Sequence, residues 1–548
     1  MSRWLGNHPE NKGSLRFTLR PILEIARSIG IPDDCVEPYG QYMAKISLRA
    51  RDVLKERRGR LILVTATTPT PSGEGKTTNA IGLSMALNRL GYSAVVTLRE
   101  PSLGPVFGVK GGAAGGGRSQ VLPSERINLL FTGDFPAVSA AHNLLAAMID
   151  NHIYQGNALG IDVVKVSWPR TVDMNDRALR EIVVALGQKN GIPRETSFVI
   201  TAASEVMAIL ALAKDYEDLR ERLGRIVVGA TTTKEDVCAR DLKADGAMSV
   251  LLRDALMPNL VQTSEGTPAI VHTGPFANIA HGTNSVIAID MALRLFDYVV
   301  VEAGFGADLG AEKFVNIVSR VGNFNIDAVA LITSIRALEE HGKGDLRAGF
   351  PNLEVHAENI HSWGLPLVVV LNRFPDDTSE KIDILRKLCQ DRGWQFEVSE
   401  VYAKGSEGGL SVARAVVEAA SKGSELRRTY ELSDSIKSKI EKVAKQVYHA
   451  SRVSYSEDAE SQLRRLEKRG YGSLPVCIAK TQFSISDNPK LKGRPSGFEV
   501  SVREVELNAG AGFIVVLMGD ILRMPGLPKQ PAAEGMSIDE NGEISGVF

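Results

Sequence analysis

The stretch Thr65-Ala-Thr-Thr-Pro-Thr-Pro-Ser-Gly-Glu-Gly-Lys-Thr-Thr78 decides the fold of this chain. An apolar run at residues 61–64 precedes it, and an amphipathic run at residues 79–90 follows it. A strand, a glycine loop and a helix in this order form a phosphate cradle, because backbone N–H groups and the positive end of the helix meet phosphate oxygens there. The segment therefore predicts a P-loop.

Within this loop, Lys76 is expected to reach the β- and γ-phosphates of a bound nucleotide, and the Thr77 hydroxyl to bind Mg²⁺. The usual pattern has a glycine five residues before Gly75, where this chain has Thr70. A glycine turn that merely precedes a helix is the alternative, but Gly-Lys-Thr-Thr between a buried strand and a helix favours the P-loop. The predicted nucleotide contacts here are Thr70, Pro71, Ser72, Gly73, Glu74, Gly75, Lys76, Thr77 and Thr78.

The composition is typical of a soluble globular protein with several domains. The chain has 548 residues, of which 44% are hydrophobic and 24% charged, and a formal net charge of -1. This length exceeds one ordinary core, and the charge provides no basic field for nucleic acid. Four scattered cysteines without a CxxC pair indicate reduced thiols rather than a zinc site or disulfide framework. Without a signal-like segment or an apolar run of membrane length, we expect a cytoplasmic protein with neither a membrane nor a nucleic-acid partner.

Alternating helices and strands predict an α/β fold. It consists of a P-loop NTPase-like large domain, with a mostly parallel sheet flanked by helices, and two smaller α/β domains. Further predicted strands are residues 93–98, 198–201, 226–228, 298–302, 365–371, 476–479, 498–502 and 513–517. Further predicted helices are residues 21–29, 44–58, 135–150, 178–186, 204–212, 433–448 and 457–468.

The ends of the predicted strands supply further candidate residues. Because the carboxyl ends of neighbouring parallel strands share one crevice, Arg99 and Glu100 are expected to face the P-loop. The planar Arg99 guanidinium suits a small carboxylate or an acyl phosphate, with a surface ion pair as the alternative. Asp308 is a candidate Mg²⁺ ligand. Asn372 is a candidate contact to the nucleotide base, and a helix cap at residues 377–378 is compatible with that role.

Aromatic and imidazole side chains lie in several loops. Phe374, just before Pro375, and Tyr402 are candidate aromatic platforms. His272 and His281 could ligate a metal, but no third ligand has suitable spacing. Structural or substrate-contacting roles therefore suit these two histidines better.

Together these motifs resemble those of formate–tetrahydrofolate ligases, over nearly the whole chain. Besides the P-loop, the resemblance includes Arg-Glu-Pro-Ser-Leu-Gly-Pro and Gly-Pro-Phe-Ala-Asn-Ile-Ala-His-Gly stretches in the family's order. The segments that carry it are residues 37–40, 68–71, 73–78, 99–105, 174–180, 274–282, 302–310, 479–482, 524–528 and 539–542.

The resemblance implies a reaction in which ATP, formate and tetrahydrofolate give 10-formyltetrahydrofolate, ADP and phosphate by way of formyl phosphate. It implies a homotetramer that uses ATP with Mg²⁺ and a monovalent cation, K⁺ or NH₄⁺. It also implies an ATP and formyl phosphate domain at residues 1–362, a domain contributing the folate site at 363–450, and a smaller domain at 451–548. The implied roles are catalysis by Lys76 and Arg99, cation binding by Glu100, and folate binding by Phe374, Pro375 and Tyr402.

Several positions depart from the family pattern. The family usually has Trp at Tyr402, Tyr at Arg118 and Asp at Val199; it often has His at Leu130 and Pro136, and Gly is common at His449. The retained residues predict an intact ATP and formyl phosphate half, whereas the departures concern the folate half. Two alternatives therefore stay open. One is a divergent paralogue that phosphorylates a small carboxylate but uses another acceptor or has weak folate activity, and the other is a P-loop ATPase switch protein.

Overall fold

A twelve-stranded sheet organises the chain in this computed structural model, which describes residues 17–71, 73–109, 114–519 and 521–547. The strands of the described residues are β1 Val36–Pro38, β2 Ala44–Ile46, β3 Arg60–Ala66, β4 Ala94–Leu98, β5 Gly115–Gly116, β6 Ser119–Leu122, β7 Arg170–Val172, β8 Ile182–Val184, β9 Arg194–Thr196, β10 Phe198–Ile200, β11 Val227–Ala230, β12 Asp236–Cys238, β13 Asn259–Thr263, β14 Pro268–Val271, β15 Tyr298–Glu302, β16 Ala328–Thr333, β17 Leu367–Asn372, β18 Gln395–Ser399, β19 Arg452–Tyr455, β20 Val476–Ala479, β21 Glu499–Asn508, β22 Phe513–Met518, β23 Ser537–Ile538 and β24 Ile544–Ser545.

The helices accompany these strands, and none in the described part of the chain is long and apolar enough to cross a membrane. They are α1 Ile22–Ser28, α2 Ala50–Val53, α3 Lys76–Arg89, α4 Leu103–Phe107, α5 Ser124–Asn128, α6 Asp134–Tyr154, α7 Glu205–Leu212, α8 Tyr216–Gly224, α9 Asp245–Leu251, α10 Val286–Leu295, α11 Ser319–Gly322, α12 Ile335–His341, α13 Leu346–Ser362, α14 Ser379–Asp391, α15 Val401–Lys404, α16 Leu410–Ser421, α17 Ile436–Gln446 and α18 Glu457–Lys468.

The middle of the large sheet is parallel. Its strands lie in the order β14-β4-β15-β3-β16-β17-β18, and each pair runs in the same direction. Apart from the edge strand β18, which is only partly buried, these strands are rich in apolar residues and largely buried, as expected when helices cover both faces. At one edge, β13, β2 and β1 add antiparallel strands, and β6 and β5 branch from β13. The α/β fold with a mostly parallel sheet flanked by helices is therefore confirmed.

The predicted P-loop lies at the centre of this sheet. Strand β3 pairs with β15 on one side and β16 on the other, and α3 follows the loop. Because the strands are parallel, the carboxyl ends of β3, β4, β15 and β17 lie at one edge of the sheet. Residues that end these strands are thus brought together.

A second, four-stranded sheet has the order β19-β21-β22-β20 within the described C-terminal residues. Helices α17 and α18 pack on it. The predicted domain boundaries at residues 362 and 450 stay predictions. Strands β17 and β18 extend the large sheet across the first boundary, and α17, which precedes the second, packs against β19 and β20.

Two of the predicted helices are wrong. Residues 44–58 contain β2 and only the short α2, because residues 44–46 pair between β1 and β13 in the large sheet. Residues 178–186 contain β8, which pairs with β9 in a separate hairpin. Tertiary pairing overrides local helical preference in both segments.

The strands predicted near residues 198–201 and 226–228 do form, but they lie outside the large sheet. Strand β10 pairs with β7, and β11 pairs with β12. These segments therefore do not continue the alternation of the large parallel sheet, contrary to the sequence-based expectation.

Candidate active site

The P-loop enters α3 through two glycines in the left-handed region. Gly73 has φ +75° and Gly75 has φ +72°, a backbone conformation that glycine adopts without steric cost. Helix α3 begins at Lys76, so its positive N-terminal end faces the loop, as a phosphate site requires. Ser72, also predicted to contact nucleotide, lies outside the described residues.

A buried carboxylate holds the loop in shape. Glu74 Oε1 accepts hydrogen bonds from the backbone N–H of Thr70 at 2.8 Å and from its hydroxyl at 3.0 Å. Glu74 Oε2 accepts a hydrogen bond from the Ser334 hydroxyl at 2.9 Å. Thr70 replaces the usual glycine of the pattern and thereby gains a side-chain bond within the loop, and Ser334 ties the loop to the start of α12.

Thr77 faces a carboxylate that sequence reasoning missed. Its hydroxyl donates to Glu302 Oε2 at 2.9 Å. Glu302 is buried and ends β15, opposite Val64 of the P-loop strand. The signal in the sequence was a carboxylate closing an apolar strand, but strand order was needed to place it beside Thr77.

Asp308, a candidate Mg²⁺ ligand, pairs with other side chains. It lies in a π-helical turn, Ala307–Ala311, and its Oδ2 pairs with Lys480 Nζ at 2.7 Å, with both side chains buried. Its other oxygen lies 4.0 Å from His356 Nδ1. This carboxylate therefore joins the large sheet region to the C-terminal region, and Glu302 takes the position beside the P-loop hydroxyl.

Arg99 directly follows β4, which is the neighbour of β15. Its Nη1 donates to the Pro275 carbonyl at 3.1 Å. Gly304 has no side chain to crowd Arg99, whereas a Cβ at this position would lie only 2.9 Å from Arg99 Nη2. Burial lowers the pKa of the Arg99 guanidinium, and the charge of Glu302 opposes that shift. Glu302 thus accepts a hydrogen bond from Thr77 and acts on Arg99 through its charge. We call Thr77, Arg99 and Glu302 the strand-end site.

Glu100, predicted at a monovalent-cation site, is buried and points away from solvent. Burial and the neighbouring Asp134 carboxylate raise the pKa of Glu100 well above its usual range, against the charge of Lys45. Lys45 Nζ is 2.7 Å from Asp134 Oδ1. Glu100 Oε2 has no hydrogen-bond partner among the described residues. Lys45 thus pairs with Asp134, and the second buried carboxyl group, Glu100, keeps one oxygen without a partner among the described residues.

Asn372 ends β17 and contacts the P-loop. Its Oδ1 accepts a hydrogen bond from Asn79 Nδ2 of α3 at 3.0 Å. A Cβ on Gly75 would lie 2.4 Å from Asn372 Nδ2. The predicted cap is also present, because the Thr378 side chain accepts a hydrogen bond at the start of α14. The structure brings this predicted base contact onto the loop, although its role toward a nucleotide stays a prediction.

Two comparisons with known proteins give the same family. The family model described as formate–tetrahydrofolate ligase matches residues 12–548. Relatives named formate–tetrahydrofolate ligase, from Thermotoga petrophila and Thermotoga maritima, are each 55% identical over 542 residues. Each alignment covers 96% of this chain and 100% of the relative. The chain belongs to the formate–tetrahydrofolate ligase family. The resemblance inferred from the motifs is therefore confirmed.

In this ligase-family chain, the predicted folate residues follow two adjacent strands. Asn372 of β17 lies opposite Ser399 of β18, so the loops carrying Phe374 and Tyr402 are neighbours. Arg373 Nη1 links them by a hydrogen bond to Glu400 Oε1 at 2.9 Å. We call Phe374, Pro375 and Tyr402 the folate platform, although their binding of folate stays a prediction.

The two rings of the folate platform differ in their surroundings. Phe374 is half-buried, whereas the Tyr402 side chain is 60% exposed. The Tyr402 ring lies against the glycine turn after β5, where a Cβ on Gly117 would be 2.9 Å from the ring. The backbone N–H of Arg118 donates to the Tyr402 carbonyl at 2.8 Å. The smaller Tyr, where the ligase family usually has Trp, thus still presents an open ring.

The two histidines considered as metal ligands are buried and uncharged. His272 bonds to the Ser285 hydroxyl at 2.6 Å and the Ala255 carbonyl at 2.8 Å, which is consistent with a structural role. Burial lowers the pKa of His272 to about 4 and that of His281 to about 3. The described residues contain no cluster of three or more His, Cys, Asp or Glu side chains arranged for a metal.

The other departures from the ligase-family pattern fall in distinct settings. Leu130 is exposed, and Pro136 is exposed in the first turn of α6. Val199 is buried in β10. His449 has φ +60°, a conformation that explains why glycine is common at this position.

Proposed function

We propose that this protein joins formate to tetrahydrofolate at the expense of ATP, giving 10-formyltetrahydrofolate, ADP and phosphate through formyl phosphate. Membership of the family supports the substrates. The observation that carries the proposal is the hydrogen bond between the Thr77 hydroxyl and the buried Glu302 carboxylate, next to the neighbouring strand β4 that leads into Arg99.

In the first step, a formate oxygen attacks the γ-phosphorus of ATP, the new P–O bond forms, and ADP leaves. Lys76 and the N-terminal end of α3 neutralise charge on the transferring group, which is the main contribution a protein makes to this reaction. The fork of Arg99 binds two oxygens of formate or formyl phosphate. Formate, a poor electrophile, thereby gains a leaving group.

In the second step, N10 of tetrahydrofolate attacks the formyl carbon. The carbon–oxygen bond to phosphate breaks, phosphate leaves, and N10 loses its proton. Phe374 and Tyr402 would hold the pterin ring by stacking, with Pro375 at the edge of the loop. Asn372 would contact the adenine base beside the P-loop.

Two ions complete the proposal. Thr77 and Glu302 offer hard oxygen ligands of the kind Mg²⁺ prefers, and Mg²⁺ bound there would offset charge on the β- and γ-phosphate oxygens. Glu100, with its orphaned oxygen beside Asp134, fits a monovalent cation such as K⁺ or NH₄⁺. The carboxyl groups of both sets are buried, and a cation bound beside Glu100 would favour its charged form over the neutral form that burial favours.

The assembly and location are part of the same proposal. We infer a cytoplasmic homotetramer with small-molecule substrates, as the resemblance implies. The chain is divided into an ATP and formyl phosphate domain at residues 1–362, a domain contributing the folate site at 363–450 and a smaller domain at 451–548.

An endpoint assay tests the function. Purified protein is incubated with ATP, Mg²⁺, K⁺, formate and tetrahydrofolate and then acidified, which converts the product to the coloured methenyl form. Colour that requires all three substrates, and is lost in Lys76→Ala, is the expected result. Formate-stimulated ADP release without colour would favour the divergent paralogue with another acceptor. Absence of both colour and formate-stimulated ADP release would favour a switch protein.

A further inference from the structure

We propose that Arg336 is a positioning residue for the folate platform: it covers one face of the Phe374 ring and leaves the other for the pterin. This inference rests on the proposed function, because it deepens the account of the same folate site. It assigns a role to a residue on α12 that neither the motifs nor the resemblance singled out.

The geometry around Phe374 supports this role. The Arg336 guanidinium carbon lies 4.3 Å from the centroid of the Phe374 ring, well within the range of a cation–π contact. Arg336 Nη2 is in turn 2.5 Å from Asp376 Oδ1. The guanidinium is therefore held between an aromatic face and a carboxylate from the same loop.

The backbone of the loop is fixed as well. The N–H of Phe374 donates to Asp377 Oδ2 at 2.8 Å, and the N–H of Asp377 donates to the Phe374 carbonyl at 3.1 Å. With its main chain closed in this turn and one ring face covered, Phe374 has little freedom to lose when a flat ligand stacks on it. Such preorganisation strengthens binding by lowering its entropic cost.

The position of Arg336 also relates the folate platform to the nucleotide loop. Arg336 is the second residue of α12, and the residue that caps this helix, Ser334, donates to Glu74 of the P-loop. One helix end therefore contacts both the phosphate loop and the ring proposed to bind pterin. A fixed relation between the two is what transfer from a formyl phosphate to N10 requires.

A planar guanidinium is needed for this contact. Arginine stacks flat on a ring and bonds a carboxylate at the same time, whereas lysine has a compact ammonium and cannot do both. Arg336 and Asp376 have side chains that are 46% and 64% exposed, so their ion pair contributes little to the stability of the fold. Loss of folate binding without loss of stability therefore distinguishes positioning from a structural role.

The test compares Arg336→Lys and Arg336→Gln with the wild-type protein by anaerobic calorimetric titration of tetrahydrofolate and, separately, of MgATP. We expect tetrahydrofolate to bind roughly 3- to 30-fold more weakly in both variants. We expect unchanged MgATP affinity and unchanged thermal midpoints.

Arg386→Lys is the matched control. Arg386 lies over the Phe396 ring, 5.7 Å from its centroid, and pairs with Asp383 on α14, so it has the same chemistry outside the folate platform. This variant should bind tetrahydrofolate as the wild type does.

Unchanged or tighter tetrahydrofolate binding in the Arg336 variants would overturn the inference, as would an equal loss in Arg386→Lys. Phe374→Ala separates this failure from failure of the proposed folate site. If Phe374→Ala loses binding and the Arg336 variants do not, only the role of Arg336 is wrong. If Phe374→Ala binds normally, the platform itself is wrong.

Discussion

At the scale of the residue, the contact between Thr77 and Glu302 defines the strand-end site. A hydroxyl and a carboxylate 2.9 Å apart, one at the start of α3 and the other at the end of β15, form an oxygen-rich corner beside the expected phosphates. Neither residue lies in the other's sequence neighbourhood. Their meeting is a product of the sheet order.

We expect Glu302→Gln to weaken the effect of Mg²⁺ on ATP binding. The amide keeps the shape of the side chain but removes the charge that a divalent cation prefers, so the strengthening of ATP binding by Mg²⁺ should fall about tenfold. Calorimetric titration of ATP with and without Mg²⁺ measures this directly. ATP affinity without Mg²⁺ serves as the control, and an undiminished Mg²⁺ effect would contradict the assignment.

We expect Arg99→Lys to raise the KM for formate by about tenfold or more, because the single ammonium cannot replace the bidentate fork. The affinity for MgATP should stay at the wild-type value, since the P-loop is untouched. Steady-state kinetics at saturating tetrahydrofolate, with formate varied, supply the measurement. Equal formate dependence in the two proteins would rule out the proposed contact.

At the scale of the element, the P-loop depends on a close approach of Asn372 to Gly75. We expect Gly75→Ala to weaken ATP binding about tenfold, because the new methyl group would displace the Asn372 amide, 2.4 Å away. Gly393→Ala is the matched control. Gly393 has φ +71°, and a Cβ added there would meet nothing within 4 Å. Alanine at either position costs about 1 kcal/mol because the backbone is left-handed, but only at Gly75 does the new methyl group clash. Equal ATP affinity in the two variants would contradict this account.

Elements with a strong local pattern could be predicted from the sequence. Strands β3, β4 and β15, with helix α3, follow from apolar runs and the glycine loop and match within a few residues. The structure of residues 44–58 could not be predicted in this way, because strand β2 pairs with strands from other parts of the chain. Local propensity favours a helix there, and tertiary pairing decides otherwise.

The candidate site divides in the same way. Lys76, Thr77 and Arg99 could be selected from motifs, since phosphate loops and strand ends have recognisable sequences. Glu302 and Arg336 could not be selected in this way, because their contacts with Thr77 and Phe374 depend on the order of the strands and the packing of α12. The tertiary arrangement supplies that information.

At the scale of the whole molecule, buried polar contacts tie the C-terminal sheet to the large sheet region. Besides the pair of Asp308 and Lys480, Glu205 of α7 accepts hydrogen bonds from the N–H groups of Gly510 and Ala511, at 2.8 and 3.2 Å. These two residues lie in the turn between β21 and β22. The carboxyl group is buried in this contact, and burial raises its pKa to about 7.

This contact predicts a pH dependence of stability. Between the ordinary carboxyl pKa of 4.5 and about 7, the folded chain binds the proton of Glu205 more strongly than the unfolded chain. The free energy of unfolding therefore decreases as pH rises through this window. Glu205→Gln, whose carbonyl oxygen can accept the same bonds, should remove about 1–3 kcal/mol of that decrease.

Urea unfolding at pH 5 and pH 8 measures the effect. Between pH 5 and pH 8, the free energy of unfolding should fall less in Glu205→Gln than in the wild type. Glu217→Gln, at an exposed position on α8, is the control and should follow the wild type. Parallel behaviour of all three proteins would show that Glu205 does not titrate in this window.

The central claim is that formate is activated by phosphorylation, and an isotope measurement tests it most directly. Formate labelled with ¹⁸O in both oxygens is incubated with ATP, Mg²⁺, K⁺ and tetrahydrofolate, and the released phosphate is analysed by mass spectrometry. If a formate oxygen attacks the γ-phosphorus, each phosphate released carries one ¹⁸O atom. Phosphate without label, released together with 10-formyltetrahydrofolate, would contradict a formyl phosphate intermediate.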